Sequence, residues 1–353
     1  MKDRDLSNRQ PTIRDVAKLA RVGLMTVSRV INNNPNVRPG TLKKVNAAIA
    51  ELGYQKNEAA RLLKGQRAML IGLIVPDLSD GFFAACAHTV QHLARAHGYM
   101  TLVAASERDS ALEIQQAELM ASRKVSGLLV VTSTGGGDER LQNLQKTGLA
   151  MVAFDRPLVG MQTDAVVVEN RAGAEEAVRH LIQHGHQRIA CVGYDEDVYT
   201  VRERLEGYNS CMHAAGLKPM LALGIGTLDA TRAWLRSAIE SEQRPTAIFS
   251  LNHRSSTFLL QALAEAGLAI PQEMAIIGFD DFDLAAIVTP PLTTVAQFPV
   301  ELAKRAMALL IERIADKSRG AEYAPAKIVL PVTLMVRGSC GCNQTRPSPL
   351  QQS

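Results

Sequence analysis

The sequence predicts an all-α helix-turn-helix headpiece followed by an α/β core of two doubly wound parallel-sheet lobes. Three observations carry this reading. The charge is unevenly split: residues 1–67 hold 14 Lys/Arg against 5 Asp/Glu, and residues 68–353 hold 25 against 30. A basic end on an acidic body is the footprint of a polyanion-binding module joined to something else. Apolar residues recur at helical spacing up to about residue 67, and then change period. From residue 69, short β-rich runs alternate with amphipathic stretches, in two successive series. A chain of 353 residues can bury two or three cores. No apolar run approaches the ~20 residues that span a bilayer. The start, MKDRDLSNRQPTIRD, has no apolar signal region, so a cytoplasmic protein is expected.

The headpiece elements follow in order. Residues 1–11 read as a disordered start. Thr12-Ile-Arg-Asp15 has capping-box spacing, in which the Thr12 hydroxyl takes a free amide and the Asp15 carboxylate reaches back. Ile13, Val16, Ala17, Leu19 and Ala20 supply an apolar stripe, and Arg21-Val22-Gly23 ends the helix. A second helix, Leu24 to Ile31, stops at Asn32-Asn33-Asn34-Pro35. A third runs from about Thr41 to Leu52, with Leu42, Val45, Ile49 and Leu52 in register and Gly53 as its cap. Two short helices joined by a Gly-containing turn form the motif whose second helix enters the major groove.

The second helix divides its residues in a way that a plain structural bundle does not require. Val27, Val30 and Ile31 can pack inward, leaving Leu24, Met25, Thr26, Ser28 and Arg29 on or near the outer face. Apolar side chains at an exposed helix start gain a purpose against a thymine methyl, and Arg29 can donate two hydrogen bonds to guanine. Thr26, Ser28, Asn32 and Thr41 suit phosphate oxygens, and Thr12, Arg14 and Lys64 join them as candidate DNA contacts.

The stretch TIRDVAKLARVGLMTVSRVIN (Thr12 to Asn32), followed by GYQKNEAARLLK (Gly53 to Lys64), resembles the amino-terminal domain of the LacI/GalR family of bacterial transcription regulators. The resemblance implies a DNA-binding domain over 12–56, two such headpieces per dimer, and a near-palindromic operator. It also implies a hinge helix in a 57–68 linker, with Leu63 wedged into the minor groove. An apolar residue between Arg61 and Lys64 suits such a wedge, although Leu63 could equally pack against the body. Lys56 departs from the family, which usually has Pro at that place.

The body's elements are read from its apolar runs. The first series is strand Leu70–Val75, helix Phe82–His97, strand Thr101–Ala105, helix Ala111–Arg123, and strands Gly127–Val131 and Ala150–Phe154. The second is strand Ala165–Val168, helix Ala172–His184, strand Ile189–Gly193, helices Val201–Ala215 and Ala230–Glu240, strand Ala247–Leu251, helix Ser255–Ala266 and strand Ala275–Phe279. Periodicity leaves open how the chain crosses between lobes.

In open α/β sheets ligands bind beyond the carboxyl ends of the strands. Asp77, Asp155, Asn252 and Asp280 stand there, and together suit a hydroxyl-rich ligand that needs no cofactor. Each alone could instead cap a helix. The family resemblance continues through IGLIVPD (Ile71 to Asp77), VAFDRP (Val152 to Pro157), RLEGY (Arg204 to Tyr208), IIGFDD (Ile276 to Asp281) and PPLTTVAQ (Pro290 to Gln297). It implies a periplasmic-binding-protein-like effector and dimerisation domain over 69–340. In that domain Arg204, Asn252, Asp280, Gln297 and Asp155 contact a small molecule. Phe82 and Phe83 stand where aromatic rings often face the ligand, with core packing as the equal alternative. The family often has Asn-Asp where this chain reads Asn252-His253, followed by Arg254, and Leu228 falls about where a stacking aromatic is often found; both departures favour an anionic sugar acid or phosphosugar.

No phosphate loop, metal-ligand spacing or nucleophile elbow appears, so no cofactor, metal or catalysis is expected. Gly135–Gly137 reads as a connector. The five cysteines make no disulfide framework, and Cys86, Cys191 and Cys211 read as reduced core residues. Cys340 and Cys342 read as part of an exposed, redox-inert end that leads into a flexible tail over 341–353, with no partner ligand evident nearby. Without leucine heptads that tail cannot form a tetramerising coiled coil, and a dimer is expected. The resulting expectation is an effector-responsive, sequence-specific DNA-binding repressor, gluconate-repressor-like members of the family included. The alternative is a solute-binding or sugar-metabolising protein on the same body.

Overall fold

The structure is a computed structural model that describes residues 11–31, 36–54, 68–133, 137–194, 197–319 and 324–342. It has two compact units, Met1–Ala68 and Met69–Ser353. Asn32, Lys56, Leu63, Lys64, the extreme amino terminus and the segment after Cys342 lie outside the described residues.

Among its described residues the first unit holds three helices: α1 (Ile13–Ala20), α2 (Leu24–Ile31) and α3 (Pro39–Leu52). Asp15 Oδ2 accepts both the Thr12 backbone N–H at 2.7 Å and the Thr12 hydroxyl at 2.6 Å, tying down the start of α1. Arg21 ends α1 in the left-handed region, φ 53°, and Gly53 ends α3 at φ 60°. Val16, Ala17, Ala20, Val27, Val30, Val45 and Ala48 form the core. Leu19 and Leu42, which the sequence placed in the packing stripes, are each 40% exposed. Leu19 lies off the face shared by Val16, Ala17 and Ala20, and Leu42 sits in the first turn of α3, before the packed stretch.

The second unit contains two six-stranded sheets. The first orders its strands β11-β5-β4-β3-β1-β2, all parallel: β1 (Leu70–Val75), β2 (Met100–Ala105), β3 (Gly127–Val130), β4 (Ala150–Phe154), β5 (Asp164–Val168) and β11 (Lys327–Leu330). The second orders them β12-β10-β9-β8-β6-β7: β6 (Ile189–Val192), β7 (Met220–Ala222), β8 (Ala247–Ser250), β9 (Ala275–Phe279), β10 (Thr293–Ala296) and β12 (Thr333–Met335). Only β12 runs antiparallel. Helices α4 (Gly81–Ala96), α5 (Ser110–Ser122), α6 (Glu139–Lys146) and α12 (Pro299–Arg319) belong to the first lobe. Helices α7 (Asn170–Gln183), α8 (Tyr199–Ala214), α9 (Leu228–Glu240), α10 (His253–Glu265) and α11 (Asp283–Ile287) belong to the second.

Each sheet is buried on both faces, which is why its central strands read as continuous apolar runs. In the first lobe Ile71, Leu73, Val152 and Phe154 face α4 and α12, while Ile74, Leu128 and Met151 face α5 and α6. The chain crosses between lobes three times: after β5, after β10, and between β11 and β12. The Glu169 N–H donates to Leu330 O at 3.0 Å, joining two of those crossings.

The two series lack α6, β7 and everything after Phe279, and they put β5 with the second lobe, whereas it pairs with β4 in the first sheet. Helix α12 returns to cover the first lobe through Leu302, Ala303, Ala306, Met307 and Leu310, and Arg313 holds Asp164 with two bonds of 2.8 and 2.9 Å. The expected exposed end at Cys340 is also overturned. Ser339 is fully buried and Cys340 is 1% exposed. Ser339 accepts the Ile276 N–H on its carbonyl at 2.9 Å, donates its hydroxyl to Ile276 O at 2.6 Å and accepts the Thr293 N–H at 2.8 Å. These bonds make the segment up to Cys342 part of the second lobe.

Candidate effector cleft and nucleic-acid interface

The carboxyl ends of both sheets' strands face one cleft between the lobes. Of the sequence-derived candidates, Phe82, Phe83, Asp155, Arg204, Asn252, Asp280 and Gln297 all line it. Phe83 is also 5% exposed and belongs to the first-lobe core, so the two roles coincide; its ring meets Phe82 edge-on at 5.2 Å. Leu228 is not among the lining residues, so the argument from a missing stacking ring there falls away.

The two lobes present matching carboxylates. Asp155 ends β4 and Asp280 ends β9, with φ of 64° and 75°. Non-glycine residues hold this conformation only where surrounding bonds impose it. Here the Asp155 N–H donates to Val166 O at 2.9 Å, and the Asp280 N–H to Val295 O at 3.0 Å. Asp280 accepts Gln297 Nε2 at 2.6 Å and the His253 N–H at 3.2 Å. Arg204, 2% exposed, reaches it from α8: Nη2 lies 3.3 Å from Asp280 Oδ1. Its Nε donates to Asn170 Oδ1 at 2.8 Å and its Nη1 to Leu251 O at 2.7 Å, and the guanidinium stacks 3.7 Å from the Phe279 ring centroid.

Asn252 acts as a helix cap and leaves its amide nitrogen unused. Its Oδ1 caps α10 by accepting the Ser255 N–H at 2.9 Å, while its buried Nδ2 has no partner. Gln297 Oε1 is likewise buried and unpartnered. Such orphaned polar atoms are costly and few in native proteins, and at the mouth of a cleft they are what a polar ligand satisfies.

The structure adds lining residues that the sequence reading left out, Asp80, Arg108, Arg156, Tyr194 and Thr200 among them, and it puts His253 and Arg254 at the cleft as that reading expected. Asp80 caps α4 through the Phe82 N–H at 2.9 Å and faces His253 Nδ1 of the other lobe at 3.6 Å. Arg156 lies 3.2 Å from Asp155 and donates to Thr132 O at 3.0 Å. Arg108 pairs with Asp77 at 3.5 Å and approaches the Tyr194 ring at 5.6 Å. Each follows a strand, so extending the strand-end rule to all loops would have found them. Burial pushes the Asp155 carboxyl above its ordinary range, against the pull of Arg156. Burial likewise raises Asp80, against His253. The Ser79 hydroxyl and amide hold Asp77 below it.

A larger groove lies against β7, lined by Trp234, Met220, Arg188 and Lys218. It opens beside the sheet edge, away from the strands' carboxyl ends.

In the headpiece, α2 buries Val27 and Val30 and leaves Leu24 46% and Met25 71% exposed. Arg29 and Arg14 are exposed, and Thr12, Thr26, Ser28 and Thr41 are half-buried. An exposed Met at a helix start offers no packing energy to the fold, which leaves it free for a partner.

Residues 12–57 match the family of bacterial regulatory proteins of the lacI type, and residues 178–340 match a periplasmic binding protein-like domain. The HTH-type transcriptional regulator DegA of Bacillus subtilis (strain 168) is 34% identical over 335 residues, covering 93% of this chain and 97% of DegA. The HTH-type transcriptional repressor PurR of Aliivibrio fischeri (strain ATCC 700601 / ES114) is 35% identical over 312 residues, covering 87% and 92%. Among solved structures, the complex of the transcriptional regulator CelR with cellobiose superposes with a TM-score of 0.68 at 29% identity, covering 93% of this chain and 99% of that one. No helix among the described residues is long and apolar enough to cross a membrane. Similarity of this extent runs through headpiece and body alike, and the chain belongs to the lacI family of bacterial regulatory proteins.

Proposed function

We propose that the protein is an effector-controlled, operator-binding transcriptional repressor that works as a homodimer in the cytoplasm and carries out no catalysis. The observation that carries the effector half is the pair of unpartnered buried atoms, Asn252 Nδ2 and Gln297 Oε1, in a cleft between lobes. The exposed Leu24, Met25 and Arg29 on α2 support the DNA half. Ligand binding draws the lobes together across Asp80 and His253. In a dimer that closure changes how two headpieces meet one near-palindromic site, a reciprocal coupling between effector and operator. PurR, described as a repressor, and CelR, solved with cellobiose, support repression and a sugar-class effector.

The ligand is a sugar acid or phosphosugar. Arg254 lines the cleft and has no ion pair of its own among the described residues, whereas Arg108, Arg156 and Arg204 are each matched to an aspartate. The Arg254 guanidinium lies 5.6 Å from the Phe258 ring centroid and acts on Asp77 only through charge, so it can select a negatively charged ligand.

Selection of duplexes from a random pool, followed by anisotropy titration, tests the DNA half. Affinity for the selected site should fall steeply with salt as Lys and Arg displace counterions. Arg29→Ala should cost about 1–3 kcal/mol and relax one base position. A flat salt response, or an unselected pool, overturns it. Calorimetry with neutral sugars and their acids tests the ligand: tight binding of a neutral sugar alone removes the anionic assignment.

A further inference from the structure

His180 near the end of α7 and the Cys340-Gly341-Cys342 segment meet at the amino-terminal edge of the second sheet, across 160 and 162 residues of sequence. His180 Nε2 lies 2.6 Å from Cys342 Sγ and 3.4 Å from Cys340 Sγ, and the three atoms lie within 4.8 Å of one another. We propose that these residues form a binding site for a zinc-class divalent metal ion.

Geometry and donor chemistry both support it. Zinc holds thiolate sulfur at about 2.3 Å and imidazole nitrogen at about 2.0–2.1 Å in a tetrahedron. Neighbouring ligand atoms in such a site therefore stand about 3.6–3.8 Å apart. Small side-chain rotations bring this cluster to that spacing. Two thiols and an imidazole select zinc over magnesium or calcium, which prefer oxygen. All five cysteines are free, so both thiols are available.

The site is held in place by its surroundings. Cys340 is 1% exposed and fixed by the Ser339 bonds to β9 and β10, and Thr293 Oγ1 donates to Cys340 Sγ at 3.3 Å. Such outer contacts orient metal ligands and are part of a working site. His184 lies one helical turn beyond His180, their ring centroids 4.7 Å apart. The ion would clamp α7 to the chain's last described residues. The same helix carries Asn170, the partner of Arg204, at its other end.

The test uses the full chain, purified in reductant, loaded with zinc and dialysed. The expected result is one zinc per chain, lost in Cys342→Ser and in His180→Ala. Cobalt loaded in its place should give a thiolate-to-cobalt charge-transfer band and a tetrahedral spectrum, a readout that needs no variant to fold. A wild-type chain that takes no zinc overturns the site. So does equal zinc in wild type and both variants, or a cobalt spectrum without thiolate charge transfer. Effector and DNA binding are measured separately, so failure here leaves the regulatory reading intact.

Discussion

Replacing Arg204 with alanine removes the hub of the second-lobe side of the cleft. The guanidinium contributes bonds to Asn170 and Leu251, an ion pair to Asp280 and a cation–π contact to Phe279. Breaking a buried pair by deleting one partner costs about 3–5 kcal/mol, because the other charge is stranded. Asp280 keeps Gln297 Nε2 at 2.6 Å and the His253 N–H at 3.2 Å, so the lower end, about 3 kcal/mol, applies. At about 2–4 °C per kcal/mol for a unit of this size, the melting temperature should fall by about 6–12 °C. Neutralising the stranded charge in the double variant Arg204→Ala/Asp280→Asn should recover about 1–3 kcal/mol against additivity. Urea and thermal unfolding followed by circular dichroism measure both. A loss within about 0.5 kcal/mol, typical of a surface site, or strict additivity refutes the hub.

Gly207→Ala should destabilise by about 1–3 kcal/mol. A Cβ there falls inside van der Waals contact of the Arg171 carbonyl oxygen and 2.9 Å from Ala174 Cβ, forcing α7 from α8; an unchanged urea midpoint disproves it. Asp155→Asn tests the raised carboxyl. A pKa above the unfolded value of 3.8 means that the folded state holds the extra proton. That stabilisation is complete below the unfolded value and is lost as pH rises through the folded one. The variant lacks the loss, so its stability should gain on the wild type as pH rises above the unfolded value; parallel profiles contradict the assignment.

The sequence by itself determined what depends on near neighbours. Strands β1, β4 and β9 fall inside the apolar runs that marked them and end with them, since a strand buried on both faces is apolar along its length. The inward Val27 and Val30 and outward Leu24 and Met25 of α2 follow from helical period alone. The strand-end rule also pointed to Asp155, Asn252 and Asp280 before any packing was known. Boundaries slipped by one or two residues where caps decided them: α10 begins at His253 because Asn252 turns its Oδ1 to the Ser255 N–H. Only the tertiary structure decided which residues distant in sequence stand together. It returned α12 to the first lobe, placed β11 and β12 on opposite sheets, and set Arg108 and Arg156 into the cleft. It also turned an apparently loose Cys340 and Cys342 onto His180, reversing the reading of that end. Helical and strand periods are short-range properties of the chain, whereas a site joined across 160 residues exists only once two sheets have fixed the positions of their crossings.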